Sequence, residues 1–272
     1  YFAHFDLLQP AQARELISLA EAPQNPNRSS AAYLGGVLDL TMNDYASAIV
    51  QFDRADSFGL SGLRLEQIHT YLALRRYADV ARVAGLQGSA GSPAADLLGR
   101  AHEVTVPLDR GRWDAASAAM QTLTKAAQSS DATLLSRTST NTMGLLMRAY
   151  APDASFAGDL RSAADALPGQ LATADLLLAR HLLFQSSAMA WAAAYTGDVA
   201  LARELVGLAE GHPLMEAYPA NAAMQQLALA EMDLASGNAA AAIDRLAPAV
   251  AGNEGLYFTR AVLMRAYAAE RK

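Results

Sequence analysis

The sequence predicts an all-α helical-repeat protein, a solenoid of stacked antiparallel hairpins, and three observations predict it. The first is a beat that recurs every 32 to 43 residues. A turn leads to an aromatic or apolar residue, a small residue follows three positions on, a bulky apolar one seven on, and a second small one ten on. Tyr45, Ala48, Phe52 and Ala55 carry it in full. It returns as Tyr77, Val80 and Ala84, then Trp113, Ala116, Met120 and Leu123, then Val199, Ala202, Val206 and Ala209, then Ala239, Ala242, Leu246 and Ala249. A fixed period of this size marks helical hairpins, none of which can bury its apolar face alone. The second is that 61 of the 272 residues are Ala. Ala is the best helix former and lets helix axes approach closely. The third is the lack of β-branched runs with period-two alternation, which leaves no credible strand.

The elements follow in order. Residues 1–8 read as the stump of a helix, and Pro10 opens a second, to Ala22, at the favoured first-turn position. Two prolines and two asparagines make 23–30 a loop, after which Ser29 or Ser30 is expected to cap a helix reaching Met42. Asn43-Asp44 turns the chain into 45–57. Helices at 61–74 and 77–87 form the next pair, and the Gly- and Ser-rich stretch 85–93 is a linker. Further pairs fall at 94–109 with 112–129, 132–150 with 155–167, 172–196 with 198–210, and 219–236 with 238–251. A lone helix at 255–271 ends the series. Gly111, Gly197 and Gly237 sit just past a first helix, where Gly serves as a stop. Pro168, Pro213 and Pro219 punctuate the junctions between pairs, and Pro248 should kink or end the helix that holds it. One domain over 1–272 is expected, with a bend near 131–170 where the repeat spacing widens and the Phe156, Asp159, Ala163, Ala166 copy is weak.

Composition excludes several functions. With no Cys there is no disulfide, thiolate metal site or cysteine nucleophile. A formal charge of -6 disfavours nucleic acid as the main ligand. The most apolar stretch, 188–195, is too short to span a bilayer. The chain opens on Tyr1 rather than Met, as expected of a processed or partial sequence. The compartment stays open.

The residues of the beat give the chain a resemblance to the tetratricopeptide-repeat (TPR) family. Gly36 holds the small site of a first helix, followed by the turn at Asn43 and by Tyr45, Ala48, Phe52 and Ala55. Met147-Arg148-Ala149-Tyr150 and Met264-Arg265-Ala266-Tyr267 are near-identical first-helix ends, and the turns Gly197-Asp198 and Gly237-Asn238 match as well. Val80, Asp159 and Gln87 depart from the family's Ala, and Pro107 and Pro152 occupy late first-helix positions. The resemblance implies a TPR-like α-solenoid of about six or seven antiparallel hairpins in a right-handed superhelix. From Asp198 to Tyr267 the chain also resembles, more weakly, the repeat arrays at the ends of bacterial signalling proteins such as membrane-tethered winged-helix regulators and Ser/Thr kinases.

No catalytic constellation emerges. His4, His69, His102, His181 and His212 are scattered, with none at the i, i+4 spacing of a helical metal site. Asp53 with Asp56, and His102 with Glu103, read as solvated helix faces. The Gly85–Gly91 segment lacks the strand and Lys-Ser/Thr of a phosphate loop. The family's geometry instead places seven residues outside the packing beat on the concave face: Tyr33, His69, Thr105, Asn141, Arg148, Trp191 and Glu231. Arg148 and Trp191 lead as binding anchors, with a surface arginine and a core tryptophan as the plain alternatives. The expected function is a non-catalytic protein- or peptide-binding scaffold or sensor without a cofactor or metal, part of a larger bacterial signalling or assembly system. The alternative is an enzyme or accessory domain with a pocket at the solenoid's end or bend. A third reading is a structural subunit that self-associates through 255–271, whose apolar face needs a cover.

Overall fold

The computed structural model describes residues 10–42, 44–60, 64–88, 97, 100–128, 134–251 and 257–271. Among these the chain forms fifteen helices and no strand, so the all-helical expectation holds. In order they are α1 (Pro10–Ala20), α2 (Arg28–Thr41), α3 (Tyr45–Ser57), α4 (Leu65–Ala73), α5 (Tyr77–Gly88), α6 (His102–Asp109), α7 (Trp113–Ala127) and α8 (Leu134–Ala149). They continue as α9 (Phe156–Thr173), α10 (Leu176–Tyr195), α11 (Val199–Ala209), α12 (Pro213–Ala217), α13 (Pro219–Ala235), α14 (Ala239–Ala251) and α15 (Tyr257–Glu270). Two compact units divide the chain, 1–140 and 141–272, with the boundary inside α8. The expected helix at 1–8 and most of the linker at 85–93 lie outside the described residues.

One turn device recurs at the helix ends. After α10, Gly197 takes φ +96°, its N–H donates to the Ala194 carbonyl, and the Asp198 N–H donates to Ala193. After α13, Gly237 takes φ +78° and the same pair of bonds reaches Leu234 and Asp233. The next residue then opens the following helix: Asp198 accepts from the Leu201 N–H at 3.0 Å and Asn238 from Ala241 at 3.3 Å. Each turn thus satisfies orphan carbonyls of one helix and an orphan N–H of the next. After α4 the left-handed position is held by Arg75, φ +56°, with bonds to Leu72 and, from Arg76, to Tyr71.

Three expectations are corrected. Ser29 and Ser30 do not cap α2, which starts at Arg28 after Asn27, so both lie in its first turn. Pro168 lies within α9, which runs on to Thr173, rather than at a junction. Its position is exposed, so water can take the carbonyl that the ring deprives of a donor. Pro248 likewise does not end α14, which continues to Ala251.

In unit 1, α2 packs on α1, α3 and α4, and α4 packs on α5. Among its described residues the apolar groups include Ala13 with Leu38, Val37 with Ala48 and Phe52, and Ile68 with Tyr71, Val80 and Val83. A Cβ on Gly36 would stand 2.5 Å from the Phe52 ring, so the small site is set by how closely α2 and α3 approach. Polar groups are buried among these clusters. Arg64 pairs with Asp56, beside Gln67, and Asp39 pairs with Arg14 at 2.6 Å.

In unit 2, α10 packs on α11 and α13, and α13 packs on α14 and α15. One continuous apolar cluster runs from Leu145, Phe156 and Leu160 through Trp191 and Leu205 to Leu246, Val262 and Ala266. The run 188–194 of α10 is buried on every side, which is possible because five of its seven residues are Ala. Ala48, Ala202 and Ala242 are each fully buried, as the beat requires.

Candidate functional site

The seven residues singled out from the sequence meet different fates. In unit 1, Tyr33 on α2 is half-buried, its ring 5.0 Å from that of Phe52, and its hydroxyl donates to Glu66 on α4 at 2.7 Å. Burial, with the Glu66 charge and hydrogen bond beside it, pushes its pKa well above the ordinary tyrosine value. His69 lies one turn beyond Glu66 and is exposed to solvent. Thr105 on α6 is half-buried and donates back to its own helix, to the Ala101 carbonyl at 3.3 Å. Such a back-bonded threonine is spent locally. Among these three the structure brings together Tyr33 and, through Glu66, the neighbourhood of His69.

Asn141 is exposed on α8. Arg148, near the end of the same helix, is not an open anchor. Its guanidinium donates to Asp153 through Nη2 at 2.8 Å and Nε at 3.2 Å, to Asp159 through Nη1 at 2.8 Å, and to Ser155. Burial alone would lower its pKa, but these carboxylates outweigh it and hold the guanidinium up. The bond from Arg148 in turn holds both carboxyls below the ordinary aspartate value. The arginine is a clasp at the turn between α8 and α9.

Trp191 is a core residue, 2% exposed, and the plain reading of it prevails. Its ring stacks on Tyr195 at 5.1 Å and tilts against Tyr150 at 5.5 Å. Glu231 is also buried, 1% exposed, and Arg265 on α15 pairs with it at 2.8 Å. The guanidinium lies 4.7 Å over the Tyr195 ring, on which it also stacks as a cation on a π face. Glu231, Arg265 and Tyr195 line a cleft of about 470 Å³ between the last turns of α10, α13 and α15. Small residues complete it, among them Ala194, Gly197 and Ala235.

Of the seven candidates this cleft is lined by Glu231 alone. Arg265 and Tyr195 were missed. The signal for Arg265 was present, since the tetrapeptide at 264–267 in α15 copies the one that holds Arg148. The cleft offers hydrogen-bond donors, an aromatic edge and small apolar walls. Among the described residues no group of three His, Cys, Asp or Glu is placed to hold a metal. No helix among them is long and apolar enough to cross a membrane. Compared with family models, curated proteins and solved structures, the chain matches none.

Proposed function

We propose that the protein is a non-catalytic binding module, a TPR-like helical-repeat array that captures a protein or peptide partner along its first helices as a scaffold or sensor of a larger bacterial assembly. One observation carries this reading. Polar side chains bridge successive first helices about one repeat apart, Tyr33 to Glu66 in unit 1 and Glu231 to Arg265 in unit 2. These bridges line up the faces of adjacent repeats and, in unit 2, border a cleft. A row of first helices with aromatic and charged edges suits an extended or helical peptide. The turn device after α4, α10 and α13, with the buried Ala at the beat positions, supports the repeat reading.

The test is selection of a random displayed peptide library on the folded protein, followed by amide hydrogen-exchange mapping of the enriched peptides. Protection confined to first helices (α2, α4, α6, α8, α10, α13, α15) supports the reading. No enrichment over a bare support, or protection confined to second helices, overturns it.

A further inference from the structure

We infer that the cleft of unit 2 binds the main chain of an uncharged, small-residue segment of a partner protein, with Arg265 donating to its carbonyl oxygens. This rests on the peptide-binding reading above and specifies the chemistry of one of its sites.

The argument starts from how Arg265 is held. Nη1 donates to the buried Glu231 carboxylate and the guanidinium carbon lies 4.7 Å over the Tyr195 ring, so two contacts hold the side chain before any ligand arrives. Its other N–H groups have no hydrogen-bond partner among the described residues, and the side chain is 46% exposed. A fixed arginine with donors to spare calls for acceptors.

Charge decides which acceptors. Arg265 is neutralised by Glu231. The cleft also lies against the last turns of three helices, α10, α13 and α15, whose C-terminal ends each carry about half a negative charge. A carboxylate or phosphate would meet no net positive field. A basic side chain would find Glu231 already covered, since that residue is only 1% exposed behind the guanidinium. A neutral carbonyl avoids both difficulties: it accepts a charge-assisted hydrogen bond without bringing a second charge out of water. The walls agree. Ala194, Ala235, Ala268 and Ala269 leave room for a backbone to come close, and Leu234 gives small apolar side chains a surface.

The experiment uses the intact chain and the same displayed library, then calorimetry with the enriched sequence as a blocked synthetic peptide. Enrichment of uncharged, Ala-, Gly- or Pro-containing sequences whose footprint covers the ends of α10, α13 and α15 is the expected result. The Arg265→Met variant should bind at least about tenfold more weakly, the loss of a hydrogen bond from a charged group. Because that variant leaves Glu231 unpaired, the double variant Glu231→Gln/Arg265→Met keeps the site neutral and should show the same loss with its helical signal intact. Glu231→Gln alone leaves an unneutralised arginine and should shift enrichment toward acidic peptides. Acidic or basic consensus sequences on the parent, or unchanged affinity in the double variant, overturn the inference. Binders that map elsewhere overturn it too, while leaving the peptide-binding reading in place; if nothing is enriched, both fall.

Discussion

The tetrapeptide Met-Arg-Ala-Tyr occurs twice in this chain, at 147–150 and 264–267, and its two copies live differently. Ala149 and Ala266 are both buried, at 1% and 0%, so the beat is honoured in each. Met147 is buried, whereas Met264 is 72% exposed. Arg148 is taken up by Asp153 and Asp159, five and eleven residues further on, and lies 5.5 Å from the Phe156 ring centroid. Arg265 reaches back 34 residues to Glu231 and lies over Tyr195. The difference teaches that a shared tetrapeptide places an arginine beside a buried Ala, and the neighbouring elements fix what it does. In one copy it closes a turn; in the other it joins two helices, α13 and α15, and borders a cleft.

The two units differ in a related way. In unit 2 one large apolar cluster, with Trp191 and the Ala run of α10 in it, takes in residues from α8 to α15. In unit 1 the apolar groups given above are smaller, and polar residues such as Asp39, Arg64 and Gln67 are buried as well. The largest test of that contrast is Trp191→Ala. Removing a buried indole from a close-packed cluster should cost about 3–5 kcal/mol, read as a lower denaturation midpoint. Hydrogen exchange should quicken through α10, α11 and α13 and stay near parent values in α2 and α3. Equal loosening of both units would erase the distinction drawn here. Partner binding is expected to weaken only as far as the fold does.

Next in size is enlargement at the beat. Ala48→Leu in unit 1, and Ala202→Leu and Ala242→Leu in unit 2, should each overpack a closed interface and cost about 1–3 kcal/mol. Gly36→Ala presses a Cβ onto the Phe52 ring at a fully buried site, so it should be destabilising too, against the usual gain of replacing a helical Gly by Ala. If all four variants melt with the parent, the repeat register is wrong.

These tests concern what the sequence made legible, and the reason is locality. The ends of α3, α5, α10, α13 and α14 fall within a few residues of their expected places because each is set by a turn and a cap encoded nearby, as in Gly197-Asp198. The buried Ala positions were legible because they repeat. The site was less so. Whether Arg148 is open or clasped depends on Asp153 and Asp159 folding back onto it, and whether Trp191 is surface or core depends on α11 and α13 packing against α10. Pairs 33 or 34 residues apart, such as Tyr33 with Glu66 and Glu231 with Arg265, leave no mark in a local window. Pro168 misled for a similar reason, since its exposure made it tolerable inside α9.

A smaller effect separates the two bridges between first helices. Tyr33→Phe removes one hydrogen bond to Glu66 and should cost about 0.5–1.5 kcal/mol at neutral pH. The folded state holds the Tyr33 hydroxyl neutral, its pKa raised above the unfolded value of 10.0. Its contribution is therefore full below pH 10 and is lost as pH rises beyond that. The parent should lose stability between neutral and strongly alkaline pH more steeply than the Tyr33→Phe variant, by chemical denaturation at each pH. Parallel curves would mean that Glu66 does not sense the phenol.

The smallest expected effect belongs to the other arginine of the repeated tetrapeptide. Asp153 and Asp159 are depressed below the ordinary value of 3.8 by their hydrogen bonds to Arg148. A depressed carboxyl contributes stability that is present above its unfolded pKa and is lost as pH falls through the folded one. The clasp should thus be intact at neutral pH and be lost as the solution is acidified below the ordinary carboxylate range. Both carboxylates are exposed, at 59% and 53%, so solvent screens the pairs and the contribution is modest. Arg148→Gln should lower the melting temperature slightly at pH 7 in low salt, less in high salt, and not at all in acid. It should leave peptide binding at the parent level, because this arginine closes a turn and does not border the cleft. A large loss of binding on Arg148→Gln, with the fold intact, would return Arg148 to the binding surface and make the two copies alike after all.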